Sequence, residues 1–320
     1  MRTVLRRLVQ LIIVVLCVTF FSFFLLHLVP GDPVTAIIGG AIPDPQQRTE
    51  IRHELHLDQP IYQQYGSWLS SFARGDLGHV YYGPTGRGKV STILGERLPV
   101  TLQLMLYSMI LTLLIAIPMG VLSAYKAGSL FDRLANVTAF GAISLPDFAL
   151  ALILSYWVGV RLKWLPSSGY VHPSDDPVGH VKSMILPAIS LAVGQIAAYM
   201  RLLRSDMIAT LQEDYILMAK SKGLTTRRVL WSHALRPSTL TLLTVAGLNI
   251  GALIGGSIVV EVIFQLPGMG TALFQAISER QFVEIQSIVA IIAIGYVLIN
   301  VCIDLLYSVL DPRIRDARPV

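Results

Sequence analysis

The 320-residue chain is 53% hydrophobic and only 14% charged, with a mean hydropathy of +0.62, which excludes a soluble domain of ordinary composition. A net charge of +5 would suit a nucleic-acid binder, but the basic residues fall in short segments between long apolar runs, which excludes that reading. Cys17 and Cys302 lie far apart inside apolar runs, so they form no metal or redox pair and read as small packing residues.

Lipid is therefore the expected solvent for most of the chain. A bilayer core of about 30 Å takes about 20 apolar helical residues. Six runs meet that length: 8–29, 100–124, 134–160, 184–203, 238–264 and 284–310. The predicted fold class is an all-α polytopic membrane protein with six transmembrane helices. Arg6 and Arg7 precede the first run, which is too long for a signal-peptide core and lacks a small-x-small cleavage site, so it stays as an anchor. Alternate inter-run segments are basic. Arg2, Arg6 and Arg7, then Lys126 and Arg133, then Arg201 to Arg236, then Arg313, Arg315 and Arg318 predict both termini on the cytoplasmic side. This divides the chain into a tail and first helix (1–29), an external segment (30–99), a core of five spans (100–312) with a cytoplasmic segment at 205–237, and a cytoplasmic tail (313–320).

The external segment has apolar residues at helical spacing over 45–57 and 59–72, predicting two short amphipathic helices. Gly75-Asp76-Leu77-Gly78 follows as a turn. Gly83-Pro84-Thr85-Gly86-Arg87-Gly88-Lys89-Val90 approaches a phosphate-binding loop. It has Val90 where the Mg²⁺-holding hydroxyl belongs, so it reads as a turn-rich loop. His53-Glu54-Leu55-His56 has the wrong spacing for a zinc protease, and no nucleophile elbow, paired-carboxylate site or dense Cys/His cluster is present. No catalytic residue, metal site or cofactor is expected.

Pro118 with Gly120, and Pro146 with Asp147, predict breaks in the second and third spans, tolerated where neighbouring helices or water satisfy the freed backbone. Pro and aromatic residues in 161–183, Trp164 among them, predict an interfacial collar. Asp214 to Leu224, followed by His233 to Pro237, interrupts the apolar pattern. Tyr215, Met218 and Ala219 share one predicted face, Gly223 suits a left-handed helix end, and Thr225 or Thr226 can cap a short basic helix over Thr226 to Leu235. Such a helix-turn-helix can lie on anionic lipid or dock a partner protein. In the fifth span, Gly247, Gly251 and Gly255 at four-residue spacing permit close helix approach and read as a packing seam. Asp147, Gln195, Asn249, Glu261, Asn300 and Asp304 are the polar residues inside spans, fit either for interhelical bonds or for contact with a solute. No internal repeat relates the two halves, which disfavours a repeat-built secondary carrier.

Several segments together resemble the permease subunits of dipeptide and oligopeptide ABC importers, the first of their two paired permeases. They are Pro30-Gly31-Asp32-Pro33, Leu55-His56-Leu57-Asp58-Gln59-Pro60, Gln64-Tyr65 with Trp68 leading to Gly75-Asp76-Leu77-Gly78, Arg97-Leu98-Pro99-Val100-Thr101, and Ser144-Leu145-Pro146-Asp147-Phe148. Glu261-Val262-Ile263-Phe264 with Pro267-Gly268-Met269-Gly270, and Asp311-Pro312-Arg313, complete the set. The resemblance runs almost end to end. It implies a type I importer permease fold and a place in the inner membrane as half of a heterodimeric pathway. The implied partners are a second permease subunit, one or two ABC ATP-binding subunits and an extracytoplasmic substrate-binding protein. It also assigns an ATPase-coupling loop to Asp214, Tyr215, Met218, Ala219, Lys220, Lys222, Gly223, Leu224 and His233. Met218-Ala219 stands where such importers often carry paired alanines, and Asp214 where many carry glutamate. Glu261, Phe264, Pro267, Gly268, Met269 and Gly270 become an external gate or binding-protein contact. Importers of glutathione or of a metal chelate such as nickel share this architecture, and a stand-alone secondary carrier is the rival of another class.

Overall fold

The computed structural model describes residues 2–27, 34, 49, 52–53, 58–82 and 86–310. Pro30 to Pro33, most of the expected 45–57 helix, Leu55 to Leu57, Gly83 to Thr85 and everything from Asp311 onward lie outside the described residues. The chain forms two compact units, Met1–Thr101 with Pro267–Leu298, and Leu102–Leu266 with Ile299–Val320.

In the first unit, helix α1 (Arg2–His27) receives α2 (Ile61–Ala73) through Tyr65, whose hydroxyl lies 2.9 Å from Thr19 Oγ1 and whose ring meets Phe20 and Phe23 edge-on. The turn after α2 forms as expected. Gly75 and Gly78 adopt φ of 85° and 82°, and the Gly78 amide donates to Asp76 Oδ1 at 3.0 Å. The all-α expectation then meets an exception. Strands β1 (His79–Tyr82) and β2 (Gly86–Lys89) pair antiparallel, Val80 opposite Gly88. The glycine-rich stretch read as a turn-rich loop is therefore partly a hairpin strand, and its backbone amides are committed to a ladder. Val80 is buried with Val90 and Leu94 of α3 (Val90–Tyr125) and with Met269, Ala272 and Ala276 of α10 (Met269–Ser278). Helix α11 (Phe282–Leu310) closes this core through Ile285 and Ile288, and Ser287 Oγ donates to the Leu77 carbonyl at 2.9 Å.

In the second unit, α4 (Leu130–Ser144), α5 (Asp147–Leu154), α6 (Pro177–Thr210) and α9 (Leu235–Phe264) pack together around Ala135, Ala139, Tyr199, Leu203 and Leu242. Helix α6 starts on Asp176, whose Oδ1 accepts from the Val178 amide at 3.0 Å, with Pro177 in the first position where a missing N–H costs nothing. No break occurs at Pro118, because α3 runs through it. Gly120 instead allows close approach, since a Cβ there would stand 3.1 Å from Leu203 and from the Met200 carbonyl of α6.

The third predicted span is not one straight helix. Leu145 is extended at φ −90°, ψ 120° before Pro146, and the chain turns by 98° into α5 and a π-helical continuation, Ser155–Arg161. Pro146 excludes the α conformation from Leu145 and withholds a hydrogen bond, which is the physical cause of the break. Among the described residues, three helices are long and apolar enough to cross a membrane: Val90–Tyr125, Pro177–Thr210 and Phe282–Cys302. Bent pairs over Leu130–Arg161 and Thr226–Phe264 raise the number to five, whereas the apolar part of α1 that qualifies, Ile12–Phe24, is shorter. The expected six spans therefore stand at three to five by length and composition.

Candidate functional site

The interrupting segment forms helix α7 (Asp214–Ser221) between α6 and α9. Asp214 in its first turn and Lys220 in its last oppose the helix dipole. Its end is a Schellman motif. Gly223 is left-handed at φ 77°, its amide donates to the Lys220 carbonyl at 2.9 Å, and the Leu224 amide reaches back to Ala219 at 3.3 Å. Thr225 then sits at the cap position of a one-turn helix α8 (Thr226–Arg228), without a side-chain cap bond.

The basic helix expected as a separate surface element over Thr226 to Leu235 is instead continuous with the fifth span. From α8 the chain widens into a π turn, Val229–Ala234, and passes directly into α9. Pro237 therefore lies inside the helical run and does not open it. The widened turns just before it fit a proline that lacks an N–H and crowds the preceding carbonyls. His233 belongs to this turn, its Nδ1 lying 3.2 Å from the Arg228 carbonyl.

Helix α7 has two faces. Ile216 is fully buried and Ala219 is buried beside it, packed with Leu224, Val229, Leu230 and Ala234. Tyr215 and Met218, expected on the same face as Ala219, point outward instead, with Met218 60% exposed. Leu217 and Trp231 are exposed as well, and Lys220, Lys222, Arg227 and Arg228 surround them with positive charge. Burial and the neighbouring Glu213 push the Tyr215 hydroxyl above its ordinary pKa, so it stays neutral and able to donate. The arrangement is a positively rimmed apolar knob held rigid from beneath. Ile216, the residue that anchors it, is not among the sequence-selected residues, because motif reading favours polar and glycine positions.

A second feature also escapes the sequence. Arg204 of α6 grips Asp132 of α4 with both arms, Nε to Oδ1 at 2.5 Å and Nη2 to Oδ2 at 2.7 Å. The same carboxylate accepts from Ser123 Oγ, from the Gly128 amide at 2.8 Å and from Asn136 Nδ2 at 2.9 Å. It is buried and fully satisfied, which makes a strong, geometrically specific tie between the end of α3, the start of α4 and the last turns of α6. The local signal was Ser129-x-x-Asp132, a capping pattern in which the Asp132 amide donates to Ser129 Oγ at 3.3 Å.

The residues expected as a gate are mostly internal. Glu261 and Phe264 are buried at the end of α9, which closes on left-handed Gln265 with the Leu266 amide donating to the Glu261 carbonyl at 2.9 Å. In the other unit, Gly268, Met269 and Gly270 are buried and Pro267 is half-buried; the Met269 amide donates to Thr101 Oγ1 at 2.8 Å. Of the glycine seam, Gly247 is buried and Gly251 half-buried, whereas Gly255 is exposed with nothing of this chain within 4 Å of an added Cβ.

Residues 116–316 match the family described as binding-protein-dependent transport system inner membrane component, and residues 1–105 match its N-terminal region. The chain belongs to that family. A Brucella abortus relative named as a peptide transport system permease protein is 42% identical over 313 residues, covering 98% of each chain. The di/tripeptide transport system permease protein DppB of Pseudomonas aeruginosa is 37% identical, again with 98% of each chain covered. The dipeptide transport system permease protein DppB of Alkalihalophilus pseudofirmus is 35% identical, with 97% of this chain and 98% of the relative covered. Among solved structures, the inward-facing MetNI methionine ABC transporter superposes with a TM-score of 0.55 at 16% identity, over 68% of this chain and 96% of the other. At that identity the likeness concerns fold, and the fold is that of an ABC importer permease. Membership of this family makes the chain an inner membrane component of a transport system, and its named relatives are transport permeases.

Proposed function

We propose that this chain is one of two paired permeases in an ATP-driven importer of di- or oligopeptides, with ATP hydrolysis carried out by separate subunits that dock on α7. The observation that carries the reading is full-length similarity to peptide permeases combined with a rigid, solvent-exposed apolar knob where the chain leaves α6 and enters α9. Tyr215, Met218, Lys220 and Lys222 make the contact, Asp214 and His233 flank it, and Gly223 and Leu224 hold its end. Ile216 and Ala219 transmit the motion inward. Closure of the ATPase pair pulls α7, and the ends of α6 and α9 move with it. Both termini lie on the cytoplasmic side, an extracytoplasmic binding protein delivers the solute, and Glu261 to Gly270 serve as the external gate. Gly255 faces the second permease. Importers of glutathione or metal chelates share the architecture, but the peptide names of the relatives favour peptides.

The test is uptake by proteoliposomes holding this chain with its second permease and supplied with the substrate-binding protein, with and without the ATPase subunits. Uptake that needs all of them and ATP supports the reading. Uptake by this chain alone under an ion gradient would replace it with a secondary carrier.

A further inference from the structure

Three of the six polar residues found inside predicted spans come together in the second unit. Asp147 opens α5 at the 98° break. Its carboxylate lies against two glycines: a Cβ added at Gly256 of α9 would stand 3.2 Å from Oδ2, and one at Gly194 of α6 3.6 Å from Oδ1. Next to Gly194, the Gln195 side chain accepts from the Tyr199 hydroxyl at 3.1 Å, and Asn249 of α9 lies beside the same hydroxyl. Asn249 and Gly256 stand on either side of the 54° bend in α9, and Gln195 and Tyr199 are one turn apart on α6. A polar seam thus runs between α6 and α9, with hydrogen-bonding amides towards one end and a carboxylate at the other.

Within the chain, the Gln195 side-chain oxygen accepts from Tyr199, whereas no described residue hydrogen-bonds or ion-pairs with the Asp147 carboxylate. Two arginines of α6 are otherwise engaged: Arg204 holds Asp132, and Arg201 lies over the Phe140 ring at 4.0 Å from its centroid. A carboxylate within a membrane-spanning segment is costly unless a cation meets it. The glycines on both sides remove the side chains that would fill the space beside it.

We propose that Asp147 receives the free ammonium group of the transported peptide as it passes, with the half-exposed Gln195 and Asn249 amides meeting its peptide groups. This rests on the peptide-importer reading above. An ammonium with its three donors suits an unpaired carboxylate, and a seam of amides suits a backbone whose side chains vary. The site is a waypoint on the pathway and not a tight receptor, because delivery is the binding protein's task.

The experiment measures peptide moved per ATP hydrolysed in proteoliposomes containing the full importer, using a radiolabelled dipeptide with a free amino terminus. Wild type is compared with Asp147→Asn, Asp147→Glu and Gly256→Ala. Losing a charge-assisted contact predicts that the Asn variant falls by about ten-fold or more in this ratio. The Glu variant recovers part of the loss, and Gly256→Ala, which crowds the carboxylate and keeps its charge, falls as well. Where the Asn variant yields no assembled complex, the Glu and Gly256→Ala ratios decide. An unchanged ratio in Asp147→Asn or in Gly256→Ala overturns the proposal. Loss of the second permease from complexes carrying Asn or Glu also overturns it, assigning the carboxylate to a subunit interface. A wild-type importer that moves no peptide overturns the peptide reading itself, an outcome visible before any variant is compared.

Discussion

Replacing Gly223 separates a backbone requirement from a surface one. The residue sits at φ 77° with nothing within 4 Å of an added Cβ, so a side chain there meets no neighbour in this chain and the cost is conformational. An L-residue in that region loses about 1–2 kcal/mol, a β-branched one more, while asparagine tolerates it at a few tenths. If valine instead drives the backbone out of the left-handed region, that strain is relieved but the bonds from Gly223 to Lys220 and from Leu224 to Ala219 are lost, at about 1 kcal/mol each at most. Either route costs about 1–2 kcal/mol, which shifts α7 between ordered and frayed ends by roughly 5- to 30-fold. ATP-driven peptide uptake by the reconstituted importer should therefore fall in the order Gly223→Asn, Gly223→Ala, Gly223→Val. Asparagine should stay within about two-fold of wild type and valine should abolish coupling while leaving membrane insertion intact. Normal uptake by Gly223→Val refutes the coupling role. Equal damage by asparagine and valine refutes the backbone argument and moves the requirement to the docking surface.

Asp132→Asn or Arg204→Met leaves one buried partner of an ion pair uncompensated, and the thermal stability of the solubilised complex should drop by about 3 kcal/mol, with the double variant losing less than the sum of the singles. Ile216→Ala empties a fully buried position and should cost about 2–4 kcal/mol in denaturation of the complex. Met218→Ser, on the exposed face of the same helix, should leave stability within about 0.5 kcal/mol yet lower ATPase co-purification. Gly255→Leu meets open space in this chain and should fold normally but release the second permease on size-exclusion chromatography; a retained partner removes Gly255 from that seam.

What the sequence revealed follows the range of each physical signal. Gly223 and the helix before it were legible because a left-handed helix end has a local chemical signature. The turn at Gly75 to Gly78 was legible for the same reason. The direction in which α7 faces was not, since Ile216 and Ala219 turn inward only because Val229, Leu230 and Ala234 fold back under them. The Asp132–Arg204 tie joins residues 72 positions apart, and a lone Asp at a helix start reads as a cap. Hydropathy registered residues 134–160 as one span because averaging over a window is blind to a 98° turn. Proline alone did not settle breaks either: Pro146 breaks the helix, Pro118 does not, and Pro237 is accommodated behind a π turn. Neighbouring helices, absent from the local sequence, decide between these outcomes. The meeting of Asp147 with Gly194 and Gly256 is likewise tertiary.

The central claim, that α7 carries force from a separate ATPase to this permease, is tested most directly by cross-linking. Met218→Cys is introduced after both native cysteines, Cys17 and Cys302, are replaced, because both are exposed and would react. With a heterobifunctional reagent that joins the introduced thiol to amines of a neighbouring chain through a disulfide-containing spacer, coupling through α7 predicts a cross-link to the ATPase subunit that blocks peptide uptake and is reversed by reduction. A complex that assembles and transports normally, yet yields no cross-link from Met218→Cys or from Tyr215→Cys with or without nucleotide, contradicts it.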